Sequence, residues 1–278
     1  MRFRREARLD TSQISDRRGM GPLAVGGGGI VGLVVLVLTL LSGGGSEVPG
    51  GGSFGLDSDL SAECQTGEDA NQREDCRIVG VVNSVQEHWS RQIGGYRPAT
   101  TVFFDGVVST GCGQATSAVG PFYCPLDQRA YIDLGFYEDL RTRFGATGGP
   151  FAEAYVIAHE YGHHVENLQG YLERGRDGIT GPQSSGVRVE LMADCLAGMW
   201  AGGAVATGFI EELTEADIRD GLDAAAAIGD DRIQQKADGQ VSPESWTHGS
   251  AEQRQRWFLN GYRGSDLTAC DTFAVASV

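Results

Sequence analysis

Residues His159-Glu160-Tyr161-Gly162-His163 spell H-E-x-x-H. On a helix, residues four apart lie one above the other on the same face. Two imidazoles so placed can grip one Zn²⁺, and the Glu beside the first can reach a water at the metal. A catalytic zinc takes three protein ligands and keeps a position open. Glu190-Leu191-Met192-Ala193-Asp194 offers the third ligand, because Glu190 and Asp194 are also four apart. One can ligate while the other accepts the free N–H of a ligand His and fixes its tautomer. Their neighbours Leu191, Met192, Ala193, Cys195, Leu196 and Ala197 read as a buried helix, and buried carboxylates need a partner or a cation.

His248 stands just before another helix, with Arg254 six residues on. Hydrolysis through a tetrahedral intermediate needs a donor for the developing oxyanion besides the metal. Either residue suits that place, and spacing alone fits a capping or packing His equally well. His164 points about 100° away from His163 on the helix and reads as a packing or surface residue. Glu153 and Glu166 read as solvated, and the isolated His88 as a packing residue.

Several elements must hold these groups. Gly148-Gly149-Pro150 starts the motif helix, with Pro in the first turn. Phe151, Ala154, Tyr155, Ala158, Val165 and Leu168 form its apolar side, and Gly170 ends it. The next helix is expected from about Ser185 to Ala201. Capping boxes at Thr214/Asp217 and Ser250/Gln253 start two more, the last running to about Gly261. Upstream, the pattern predicts a helix over 71–93, strands over 100–108 and 128–134, and a helix from Phe136 to Phe144. Gln114–Val119, between Gly and Pro breakers, is a candidate edge strand.

The chain has 278 residues, 41% of them hydrophobic, which suits one large or two small domains. Its net charge is −15. Arg2, Arg4, Arg5, Arg8, Arg17 and Arg18 outnumber Glu6, Asp10 and Asp16 at the start, so the remainder is more acidic than the whole. Such a body repels phosphates, and no nucleic-acid partner is expected.

Residues 1–22 read as a basic cytoplasmic leader and 23–42 as an apolar transmembrane anchor. That stretch has about the length a bilayer needs. The arginines before it predict a cytoplasmic N-terminus and an extracytoplasmic body, attached to the membrane by a single pass. A cleaved signal peptide is the competing reading. Residues 43–55 form a Gly/Ser linker, and 56–278 the folded domain. Six cysteines, none in a C-x-x-C pair, agree with export to an oxidising compartment. Local spacing suggests Cys64–Cys76 and Cys112–Cys124, which leaves Cys195 for Cys270; buried free thiols are the alternative.

Four blocks together resemble the bacterial neutral zinc metallopeptidase family. They are Gly111-Cys112-Gly113 through Val119-Gly120-Pro121-Phe122-Tyr123-Cys124-Pro125, then His159 to His164, then Arg188 to Cys195, then His248-Gly249-Ser250 with Arg254. They span about 60–260, and the Arg-rich leader with one anchor is similar too. More distantly, the order is similar to membrane-linked gluzincins of the CAAX-protease kind. The resemblance implies Glu190 as third ligand, Asp194 behind a ligand His, and His248 with Arg254 flanking the reaction centre. Those proteases carry Pro after the late His, where this chain has Gly249.

The expected fold is thus α+β: a helix-dominated, gluzincin-like zinc metallopeptidase domain with a small β-sheet, preceded by a single transmembrane helix. The expected function is a membrane-anchored, extracytoplasmic zinc endopeptidase acting on peptide or protein substrates, with Zn²⁺ on His159, His163 and Glu190 and Glu160 as the base. The alternative is a non-catalytic, zinc-stabilised cell-envelope interaction protein.

Overall fold

The computed structural model describes residues 1–19, 60–264 and 266–278. The apolar stretch at 23–42, the linker at 43–55 and the expected domain start at residue 56 lie outside the described residues. Strands β1 (Arg2–Phe3) and β2 (Ile14–Asp16) come first, then α1 (Leu60–Glu63), α2 (Gly67–Gln72) and α3 (Glu74–Gln92). The strand region holds β3 (Thr100–Phe103), β4 (Val107–Thr110), β5 (Gly113–Thr116), β6 (Phe122–Cys124) and β7 (Arg129–Ile132). Then follow α4 (Phe136–Thr142), α5 (Pro150–Gln169), α6 (Ser185–Gly203), β8 (Ile210–Glu212), α7 (Glu215–Ala227), α8 (Asp230–Asp238) and α9 (Ala251–Arg263). Helices dominate and the sheets are small, an α+β architecture.

The four-stranded sheet runs β2-β3-β7-β6. Its first three strands are parallel, and β6 returns antiparallel on β7. The strand expected over 100–108 is interrupted, because Gly106 turns the chain at φ 69°. Past that turn β4 leaves the sheet and pairs with β5. The expected edge strand stops at Thr116, and residues 117–119 form a 3₁₀ turn. The helix expected over 71–93 breaks at Arg73, which is extended at φ −124° and ψ 138°. Both capping boxes form as expected, at Thr214/Asp217 and Ser250/Gln253.

The leader is the main correction. Residues 1–19 were expected to lie apart from the domain, and they are built into it. Strand β1 pairs with β8, and β2 supplies one edge of the four-stranded sheet. Phe3 is buried in the core. The reason lies in positions that composition hides. Phe3 is an apolar residue among arginines, and Asn71 and Asn83 offer amides to a passing backbone. Asn71 accepts from Phe3 N at 2.9 Å and donates to Phe3 O at 3.0 Å. Asn83 does the same for Asp10 at 2.8 and 3.0 Å.

Helices α5, α6 and α9 form the centre. Phe151, Tyr155 and Tyr161 of α5 and Trp200 of α6 are fully buried, each worth about 1.5–3 kcal/mol of transfer from water. The Phe151 and Trp200 rings stack with centroids 6.0 Å apart. Helices α6 and α9 touch backbone to backbone. A Cβ at Gly198 would sit 1.9 Å from Phe258 O, and one at Gly261 would sit 1.8 Å from Cys195 O. Residues Ser185–Thr207 are the one stretch among the described helices long and apolar enough to cross a membrane. That stretch contains α6, and 78% of its apolar window is buried within the fold, which is what a core helix looks like. All three expected disulfides form: Cys64–Cys76, Cys112–Cys124 and Cys195–Cys270. The last ties α6 to the C-terminal segment.

Candidate metal centre

Helix α5 carries His159 and His163 on one face, a turn apart, with ring centroids 4.7 Å from each other. Helix α6 crosses directly beside them. Gly162 allows this approach, since a Cβ there would lie 2.8 Å from Ala193 O. The crossing brings Glu190 to the two rings: Oε2 is 3.2 Å from His159 Nε2, and Oε1 is 3.6 Å from His163 Nε2. One ligand atom from each of His159, His163 and Glu190 lies within 4.8 Å of the others. Both imidazoles therefore present Nε2 to a common point.

Each ring is held from behind through Nδ1. Asp194, one turn after Glu190, meets His159 Nδ1 at 2.9 Å. Asp194 also accepts from Tyr155 OH at 2.5 Å and from Arg254 Nε and Nη2 at 2.8 and 3.0 Å. Glu166 meets His163 Nδ1 at 2.7 Å. Such carboxylate–histidine pairs fix the tautomer and raise ligand basicity.

The charges ask for a cation. Glu160, Glu166 and Asp194 are buried and Glu190 nearly so, while Arg254 is the only permanent positive charge among these side chains. Glu166 Oε1 has no hydrogen-bond partner among the described residues. Burial pushes the Glu166 carboxyl well above its ordinary range, and the nearby Glu190 adds to this. Burial likewise raises Glu160, tempered by His159 and His163. For Glu190, burial is outweighed by His163, His248 and His159, which hold it well below the usual carboxylate range. Burial works against charge on His159, but Asp194 and Glu190 prevail and lift it to about 10. A divalent ion would replace that proton and neutralise the carboxylate excess. Two imidazoles and one carboxylate form a donor set suited to zinc.

Glu160 lines the same cavity as the three ligands, an opening of about 610 Å³. His248 lines it too. Its Nδ1 meets Thr247 Oγ1 at 2.8 Å and lies 3.4 Å from Asp230 Oδ1. Asp230 Oδ2 accepts the backbone N–H groups of Thr247, His248 and Gly249. The turn after α8 is thus clamped onto its own N-terminal Asp. Both ring contacts use Nδ1, which leaves Nε2 for a molecule in the cavity. Burial opposes charge on His248, but Glu190 and Asp230 raise its pKa above the ordinary value.

The structure brings His159, Glu160, His163, Glu190, Asp194, His248 and Arg254 together. Arg254 lines the cavity as well, and its side chain carries a further contact set that the sequence did not suggest. Its guanidinium is taken up by Asp194 and Tyr155, with a longer contact to Ile228 O, so it braces His159 through Asp194. Glu166 and Glu153, expected in solvent, are buried; Glu153 pairs with Arg77 at 2.8 Å. The i, i+3 spacing of His163 and Glu166 is the signal that identifies Glu166. Asp230 has no comparable signal, lying 18 residues from His248. His164 is a buried packing residue, joined to Tyr123 OH at 2.9 Å and Arg97 O at 2.7 Å. It ties α5 to the sheet.

Residues 2–273 match the family described as "Putative neutral zinc metallopeptidase". The chain belongs to that family. Members of such a family are implied to hold zinc, and the His159, His163 and Glu190 group fits it. An uncharacterized protein of Mycobacterium tuberculosis H37Rv is 53% identical over 227 residues, covering 79% of this chain and 77% of its own. The uncharacterized protein YpfJ of Escherichia coli K12 is 35% identical over 299 residues, 98% of this chain and 99% of its own. No solved structure matches. The family match begins at residue 2, in keeping with the leader's place in the fold.

Proposed function

We propose that the protein is an exported zinc-dependent endopeptidase. Zinc at His159, His163 and Glu190 would activate a water and polarise the scissile carbonyl. Glu160 takes the proton from the attacking water and passes it to the leaving amine. His248 donates from Nε2 to the developing oxyanion. Asp194 with Arg254, and Glu166, keep the two imidazoles in register. The chain of the substrate lies extended along β5, whose second edge has no strand partner among the described residues.

The observation that carries this reading is Glu160 beside the three-residue ligand group in one open cavity. A purely structural zinc is fully enclosed by protein ligands and has no use for a buried base. Export is supported by three disulfides with no free cysteine among the described residues. The test is Glu160→Gln. It should retain zinc and lose cleavage of an unfolded protein such as casein by about a thousandfold or more. Cleavage at the wild-type rate by that variant would refute the role of Glu160 and return the protein to the non-catalytic reading.

A further inference from the structure

We propose that the cleft selects polypeptide segments carrying bulky apolar side chains around the scissile bond. This rests on the peptidase reading and names its substrate class. The chain is strongly acidic overall, at −15, yet among the described residues the cavity is lined by no carboxylate beyond Glu160 and Glu190. Arg176 is the one charged liner outside the site among the described residues, and it pairs with Glu173 at 3.0 Å. A cationic or anionic side chain would find no free partner there and would lose its hydration uncompensated. Apolar side chains such as Phe136, Phe144 and Ile233 dominate the walls. At the rim stand Leu126, 74% exposed, and Ile179, 62% exposed, on the β6–β7 loop and on the loop before α6. They are the two most exposed large apolar residues described. The edge of β5 that has no strand partner among the described residues supplies main-chain hydrogen bonds, and alternate residues of the bound strand face the apolar walls.

Binding to the zinc-loaded Glu160→Gln full chain tests this apart from catalysis. Peptides with Leu and Phe flanking the centre should bind about tenfold or more tightly than versions with Lys or Glu there. Ile179→Glu and Leu126→Glu, both at exposed loop positions, should each weaken the apolar peptide severalfold without changing zinc content. Charged peptides binding equally well, or rim variants without effect, would overturn the proposal. So would lipid vesicles that bind through Ile179 and are not displaced by peptide, since the rim would then face a membrane. An apolar peptide that is bound by Glu160→Gln but left uncut by wild type would sink the catalytic reading and uphold the cleft's chemistry.

A second inference comes from different residues. We infer that residues 1–19 occupy the same compartment as the zinc-site domain. Without them, Asn83, 2% exposed, would lose both backbone partners from Asp10, and β3 would lose the neighbour beside residues 101–103. The space filled by Phe3, whose ring lies 2.6 Å from a Cβ built at Gly80, would be void. A leader left across a bilayer cannot make these contacts.

The test is labelling by a membrane-impermeant maleimide in intact cells, with one cysteine placed at exposed Glu6 and, separately, at exposed Glu215. The two should behave alike. Both labelled means both exported; both protected upholds the shared compartment and refutes export. One labelled and one protected would overturn the inference.

Discussion

Replacing Glu166 by Gln should weaken zinc binding while sparing the metal-free fold. Glu166 touches no ligand site itself. It accepts from His163 Nδ1 at 2.7 Å and is wholly buried, with Oε1 unpartnered among the described residues. Gln can keep the hydrogen bond through its carbonyl oxygen but brings no negative charge to polarise the imidazole. Loss of such a partner costs about 10- to 100-fold in metal affinity, or about 1.4–2.7 kcal/mol. The metal-free protein should be little affected. Burial already drives the Glu166 carboxyl toward its neutral form, so a neutral amide of the same shape replaces it at small cost. Chelator competition at buffered free zinc measures the first effect, and urea unfolding with and without zinc the second. The zinc-dependent increment of stability should shrink by the same 1.4–2.7 kcal/mol or so. A zinc Kd within about threefold of wild type would refute the reasoning. So would an equal loss of stability with and without metal, since that marks mere packing damage.

Three further outcomes follow from the same geometry. Arg254→Met should destabilise the fold by about 3–5 kcal/mol, because it strands the buried Asp194 carboxylate; a loss under 1 kcal/mol or so in urea unfolding would contradict the bracing role. His248→Ala should lower kcat by about 10²–10³ with zinc content intact, and an unchanged kcat would make His248 a structural residue only. His88 is buried beside Arg91, and burial first, then that charge, lowers its pKa from 6.5 to about 4. The unfolded chain therefore binds its proton more readily between those values, and stability should fall by up to about 3 kcal/mol as pH drops from 6.5 to 4. His88→Leu should flatten that slope in unfolding curves at pH 7 and pH 5, and an equal slope in both proteins would assign the loss elsewhere.

What the sequence made legible follows the periodicity of its parts. The motif helix, the Glu190 helix and the two capping boxes rest on local spacing, and local spacing is written in the chain. The disulfide pairs were legible because two of them close short loops, at a separation of 12 residues each. The pairing of Arg254 with Asp194 was not, because its six-residue offset from His248 says nothing about a carboxylate on another helix. Glu153 and Glu166 misled because an acidic residue on a helix is usually solvated; only a contact with Arg77 or His163 shows otherwise. The leader misled most. Its arginines dominate its composition, while the features that dock it are one Phe and two distant Asn side chains. Strand pairing between residues 14–16 and 101–103 has no signature in either segment alone.

The zinc content of the purified full chain, wild type beside Glu190→Ala, tests the central claim most directly. Glu190 comes from a different helix than the two histidines, so its loss probes the convergence itself. One zinc per chain in the wild type, and zinc lost from the variant at the same free metal concentration, is the result this account predicts. A wild type that takes up no zinc, or a variant that holds it as tightly, would contradict it.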